Sequence, residues 1–102
     1  MQKATLLAVI LWLASDAIAT AAEDPVRFNR DIRPILSENC LSCHGPDAKQ
    51  RKAELRLDVE ASAHEHAIVA GNPGESELIS RITSNDDELK MPPTESGKKL
   101  TS

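Results

Sequence analysis

Cys40-Leu41-Ser42-Cys43-His44 is the stretch on which the reading of this 102-residue chain turns, and it holds the only two cysteines. Two thiols three residues apart, with an imidazole directly after the second, form the C-x-x-C-H attachment pattern of a c-type haem. The spacing has a mechanical reason. Each thiol can form a thioether with one vinyl group of the same porphyrin, and the adjacent His44 then directs a ring nitrogen at the iron from the proximal side. Other readings of the pair are weaker. A Cys40–Cys43 disulfide closes a loop too small to stabilise the chain much. A thioredoxin-like redox pair wants a βαβ setting, and no such pattern flanks it. Zinc held by Cys40, Cys43 and the histidines His44, His64 and His66 meets an H-x-H spacing that does not fit the usual finger.

The composition around this motif calls for something to fill a core. Sixteen of the 41 residues in the AVILMFWYC set fall in the first 22 positions, which leaves 25 among the other 80. Leu, Ile, Val and Phe make up 16 of those 80, a fraction at which a charged chain begins to look disordered. Phe28 is the only aromatic residue after position 22. About 80 residues make one small domain, marginal even with a good core. A large enzyme, a multi-domain chain and a self-sufficient apolar fold are therefore excluded. A porphyrin, flat and largely apolar, supplies what is missing, at about 2.5 kcal/mol for each hundred square ångströms of apolar surface buried against it. Phe28, Ile32, Leu36 and the apolar positions of 68–82 are the residues expected around it. The net charge is −4, the basic residues are interleaved with acidic ones, and aromatic residues to stack on bases are missing, so nucleic acid is not an expected partner.

The N-terminus reads as a secretory signal over residues 1–22. Met1-Gln2-Lys3 is a short positive region, Ala4 to Ala14 is an apolar stretch, and Ala17 to Ala22 offers small residues at several cleavage pairs. Eleven residues are too few to cross a bilayer core, which needs about 20. The expectation is a domain over residues 23–102 that is exported, periplasmic or otherwise extracytoplasmic, with no stable membrane insertion after cleavage. C-type haem attachment takes place on that side of the membrane, so compartment and motif agree.

Along residues 23–102 the periodicity predicts helices joined by long loops. Phe28, Ile32, Ile35, Leu36 and Cys40 form one helical stripe, interrupted by Pro34. Either the proline kinks the helix or the regular part begins near Arg33 with Pro34 in its first turn. Gly45 and Pro46 stop the segment, and residues 47–53 read as a surface loop. Leu55 to Asp58 alternates like a short extended piece, after which Asp58 is placed to cap a short helix through Val59, Ala61 and Ala63. Asn72, Pro73 and Glu75 occupy Ncap, N1 and N3 of a capping arrangement, predicting a helix over about 73–83. Residues 84–88 are an acidic loop, more in keeping with a solvated surface than a docking site. The fold class expected is all-α with long loops.

A sixth iron ligand has few candidates. Methionine sulfur raises the potential and suits electron transfer, and Met91 is the only methionine after the leader. It stands in Met91-Pro92-Pro93, where two prolines stiffen an extended segment able to hold a side chain against the haem face. His64 and His66 compete, although they flank Glu65 in a charged stretch that reads as solvated surface.

The ordered set Phe28-Asn29-Arg30-Asp31-Ile32-Arg33-Pro34-Ile35-Leu36, Cys40 to Asp47, Leu55-Arg56-Leu57-Asp58, Ile68 to Pro73, Ser76 to Ile79 and Met91-Pro92-Pro93 resembles the planctomycete-type cytochrome c domain over residues 26–101. The resemblance implies a small class I-like cytochrome c fold, one covalent haem c on Cys40 and Cys43, His44 as proximal ligand and Met91 as distal ligand. Such domains commonly stand at the N-terminus of long exported proteins, so the implied partner is a redox protein or a fused downstream domain. In that family a C-terminal helix follows the methionine loop and packs across the N-terminal one. Here Thr101 or Ser102 reads as the N-cap of that helix, and the expectation is an incomplete domain with one apolar side of Phe28, Ile32 and Ile35 uncovered.

The functional expectation is a one-electron carrier in which no residue acts as acid, base or nucleophile. Two alternatives stand beside it: an open-site haem protein with peroxidase-like or gas-binding activity, and a zinc-binding interaction module. Oligomeric state is not legible.

Overall fold

The apolar stripe that begins at Phe28 folds in two parts. Phe28–Ile32 winds as one π-helical turn and Arg33–Asn39 follows as helix α1. Pro34 lies in the first turn of α1, where its missing N–H breaks no helical bond. Of the two expectations for Pro34, regular helix starting near Arg33 is the one that holds. Asp31 closes the entry turn. Its carboxylate accepts the Arg27 N–H at 2.9 Å while its own N–H donates to the Arg27 carbonyl at 2.7 Å. The structure is a computed structural model and describes residues 23–102; the leader expected over 1–22 lies outside the described residues.

Helix α2, Glu60–His66, forms where a short helix was expected, but its start differs. Asp58 does not cap it: Val59 is the N-cap, with no side-chain cap bond. The Asp58 carboxylate instead takes a two-point contact from Arg56, Nη2 at 2.7 Å and Nε at 3.1 Å. A charge-assisted fork outcompetes a single backbone donor. The Leu55–Asp58 piece is irregular rather than a strand, and no strand occurs among the described residues.

The helix expected over 73–83 is split. Asn72 does cap, accepting the Glu75 N–H at 3.2 Å, but only over a 3-10 turn, Pro73–Glu75. Helix α3 then runs from Glu77 to Ile82. Ser76 sits between them in extended backbone, 4% exposed. Its hydroxyl accepts the Val69 N–H at 2.9 Å and faces the carbonyls of Asn72 at 2.9 Å and Val69 at 3.2 Å. A serine that bonds the backbone locally competes with helical continuation, and here it closes the turn whose left-handed corner is Gly71, φ 72°. Capping residues show in a sequence; a break caused by a contact seven residues away does not.

The core is as thin as the composition implies. Leu57, Ala63 and Ala67 are its buried apolar residues, with Leu36, Cys40, Leu41, Leu55, Ile68 and Leu78 packed partly against them. The Leu78 N–H donates to the Ala67 carbonyl at 3.0 Å, fixing the start of α3 to the end of α2. Phe28 and Ile35 are 57% and 46% exposed, while Ile32 between them is half-buried.

With so few buried groups, each carries weight. Leu57→Ala is expected to lower stability by about 2–5 kcal/mol and Ser76→Ala by about 1–3 kcal/mol. Urea midpoints of the isolated domain check both.

Candidate functional site

The chain leaves α1 through a tight turn that carries the motif. The Cys40 N–H closes onto the Leu36 carbonyl at 2.8 Å, and the Cys40 carbonyl in turn accepts the N–H groups of Cys43 at 3.2 Å and His44 at 2.8 Å. Both cysteines are half-buried free thiols. Burial pushes the Cys40 thiol above its ordinary range, with the charge of Lys98 acting in the opposite sense. Gly45 is buried at the end of this turn, where a Cβ would run into the Leu41 carbonyl oxygen. Only glycine allows that approach.

A returning loop then stitches itself to the motif. The Lys52 N–H donates to the Cys43 carbonyl at 2.7 Å and the Leu57 N–H to the His44 carbonyl at 2.8 Å. His44 Nδ1 lies 3.1 Å from the Lys52 carbonyl oxygen. A carbonyl only accepts, so Nδ1 carries the proton, and in the neutral ring Nε2 is left with its lone pair free. Metal-bound histidines are oriented by this kind of contact. Ala53 and Glu54 hold φ of 54° and 53° to make the return, both left-handed without glycine. Arg51 braces the loop by donating Nε to the Gly45 carbonyl at 3.0 Å and Nη2 to the Pro46 carbonyl at 3.2 Å. None of this was legible: the acceptors are backbone carbonyls, and no glycine or asparagine marks residues 53 and 54.

Met91 is brought to the same place. A cleft of about 360 Å³ has Cys40, His44, Leu55 and Leu57 on its lining together with Leu78, Ile82 and Met91, a volume in the range of small-molecule sites. His66 lines it as well. His64 does not; its Nδ1 lies 3.4 Å from the Ile68 carbonyl, and it borders a separate groove of about 730 Å³. Phe28, Ile32 and Leu36 also border that second groove, which shares only Leu57 and Leu78 with the cleft. Of the apolar residues expected around a porphyrin, Leu78 and Ile82 are therefore at the cleft, and Phe28, Ile32 and Leu36 border the adjoining groove. Among the described residues no group of three or more His, Cys, Asp or Glu side chains is arranged to hold a metal ion, so the zinc reading lacks its ligand set.

The donors fit a covalently attached haem: two free, half-buried thiols three residues apart, an imidazole with a free Nε2, and a largely apolar cleft with Cys40, His44 and Met91 on its lining, Cys43 lying outside that lining. A family model described as Planctomycete cytochrome C matches residues 40–95, more than half of the chain. The chain belongs to that family. Membership implies haem c binding and suggests an electron-transfer role, and the Cys40–Cys43 pair is consistent with both. The match begins at Cys40, so the turn at Phe28–Ile32 and α1 lie ahead of it. No curated protein and no solved structure matches the chain. Cytochrome c domains are typically extracytoplasmic, and among the described residues no helix is long and apolar enough to cross a membrane.

Two predictions follow from this geometry. Gly45→Ala forces the Leu41 carbonyl aside and is expected to cost about 1–3 kcal/mol, read as reduced haem incorporation during expression. The second concerns pH. The Arg56 guanidinium holds the Asp58 carboxyl below its ordinary value of 3.8. A depressed native value contributes stability above 3.8 that is lost as pH falls through it. Asp58→Asn should thus lower the urea midpoint slightly at pH 7, the pair being exposed, and the gap should close as the pH drops below 3.8.

Proposed function

We propose that this chain is an exported one-electron carrier with a single haem c, built as a small class I-like cytochrome c fold over residues 23–102. The observation that carries the reading is the shared cleft, which has Cys40 and His44 on its lining together with Met91. In this reading residues 1–22 are a cleaved signal, and the domain works in the periplasm or another extracytoplasmic space. Its partner is a docked redox protein or a downstream domain of the same polypeptide.

The roles follow from the donors. Cys40 and Cys43 would hold the haem through two thioethers, each made by adding S–H across a vinyl group with no net oxidation. His44 would offer Nε2 to the iron, since the Lys52 carbonyl holds the proton on Nδ1. Met91 would offer its thioether as the further donor on the cleft, where Leu55, Leu57, Leu78 and Ile82 supply apolar cover. The haem, when attached, supplies the ferric–ferrous change. The protein contributes ligand choice, burial and local charge, which set the potential. No side chain needs to act as acid, base or nucleophile.

One observation supports a second ligand. His66 lines the same cleft as Met91, so it is the competing sixth donor, while His64 borders the other groove.

The test is an absorption spectrum of the domain expressed with c-type maturation machinery, then denatured in alkaline pyridine. Haem retained on the denatured chain, with a c-type α-band that is lost in Cys40→Ser/Cys43→Ser, is the expected result. A colourless chain beside a working maturation control defeats the proposal. Met91→Ala is expected to open the iron to carbon monoxide, and His66→Ala is not; the reverse pattern assigns the ligand to His66.

A further inference from the structure

Met91 stands at the end of a loop that has little to hold it. Residues 85–89 are exposed, Leu89 to 47%, and no residue from 83 to 91 is buried. Local bonds make a turn of the tip: the N–H groups of Leu89 and Lys90 donate to the Asp86 carbonyl at 3.0 and 2.9 Å. On its C-terminal side the loop is fixed by buried Pro92 and by a 3.4 Å contact from Thr94 Oγ1 to Asp87. On the other side the contacts converge on one residue. The Met91 N–H donates to the Arg81 carbonyl at 3.1 Å, and Arg81 Nη1 donates to the Leu89 carbonyl at 3.4 Å. Arg81 Nε donates to Glu77 Oε1 at 2.8 Å, and Arg81, Glu77 and Met91 all line the cleft.

We infer that Arg81 is a positioning residue for the sixth ligand, clamping the Met91 loop to α3 while Glu77 fixes the clamp; the inference rests on the reading of Met91 as that ligand. The carbonyl of residue 81 catches the backbone of Met91, and the side chain catches the residue two before it. Both contacts bear on Leu89-Lys90-Met91, so the thioether is presented from a short, doubly tied segment. The guanidinium suits the task because its planar fork serves two acceptors in different directions at once. Glu77 and Arg81 are one helical turn apart, so the ion pair also orients the fork before the loop closes on it. A lysine keeps the charge but presents a point ammonium on a flexible stem, and so does not replace the clamp.

The test uses the haem-loaded domain and reads the distal side directly, through the near-infrared sulfur-to-ferric-iron band, the midpoint potential and the affinity for added imidazole. Arg81→Met is expected to weaken the band, lower the potential and tighten imidazole binding roughly threefold to tenfold, the scale of one ordinary exposed hydrogen bond. Arg81→Lys should behave like Arg81→Met; full rescue by lysine would show that only the charge matters and overturn the clamp. Unchanged imidazole affinity in Arg81→Met overturns it as well. Should Arg81→Met fail to mature, Glu77→Gln decides: tighter imidazole binding supports the clamp, and an unchanged value overturns it. Met91→Ala separates the two levels of the proposal, since a Met91→Ala spectrum identical to the parent removes the Met91 reading itself.

Discussion

Three hydrogen bonds between the motif and the loop that follows it govern the rest of this small structure. Cys43 and His44 give their carbonyls to the N–H groups of Lys52 and Leu57, and the His44 ring gives its Nδ1 proton to the Lys52 carbonyl. The first two bring Leu55 and Leu57 onto the cleft. The third selects the tautomer of the imidazole and aims its other nitrogen. Remove this seam and the stretch from 47 to 54, polar and mostly exposed, has little apolar surface to hold it in place. Two left-handed residues without glycine, Ala53 and Glu54, are tolerated at its corner because bonds on either side hold the backbone there.

The second governing constraint is scarcity of apolar surface. Leu57, Ala63 and Ala67 form a core that two alanines dominate, and alanine contributes little burial. A chain so built gains most from a large apolar body placed at the cleft. In the proposed reading the haem is both the reactive group and the missing part of the core, which ties stability to maturation. The second groove is bordered by Phe28, Ile32 and Leu36 and adjoins the cleft through Leu57 and Leu78.

The two walls of the cleft differ in how they are built. The Cys40–Leu57 wall is local, closed by contacts within about a dozen residues. The wall of α2, α3 and Met91 is assembled from three separated segments, joined by the Leu78–Ala67 and Met91–Arg81 backbone bonds. Between its two helical pieces Ser76 breaks the chain so that α3 starts in a new direction. Electron transfer asks that this wall change little between oxidation states, and a wall made of tied segments meets that demand better than a free loop.

The residues decided some of this alone. C-x-x-C-H marks Cys40, Cys43 and His44 as the donors of the proposed haem site by spacing alone, since that spacing is local geometry. Pro34 dictates where regular helix can begin, and Asn72-Pro73-x-Glu75 where a cap forms. Met91 stood out because it has no rival methionine. Tertiary structure decided what depends on contacts between distant positions. It brought Met91 and His66, but not His64, to the cleft. It turned Asp58 from a helix cap into the partner of Arg56, and it cut the 73–83 helix at Ser76 through bonds to Val69 and Asn72. For Asp58 and Ser76 the side chain had more than one possible partner, and the choice fell to those the fold brought within hydrogen-bonding distance.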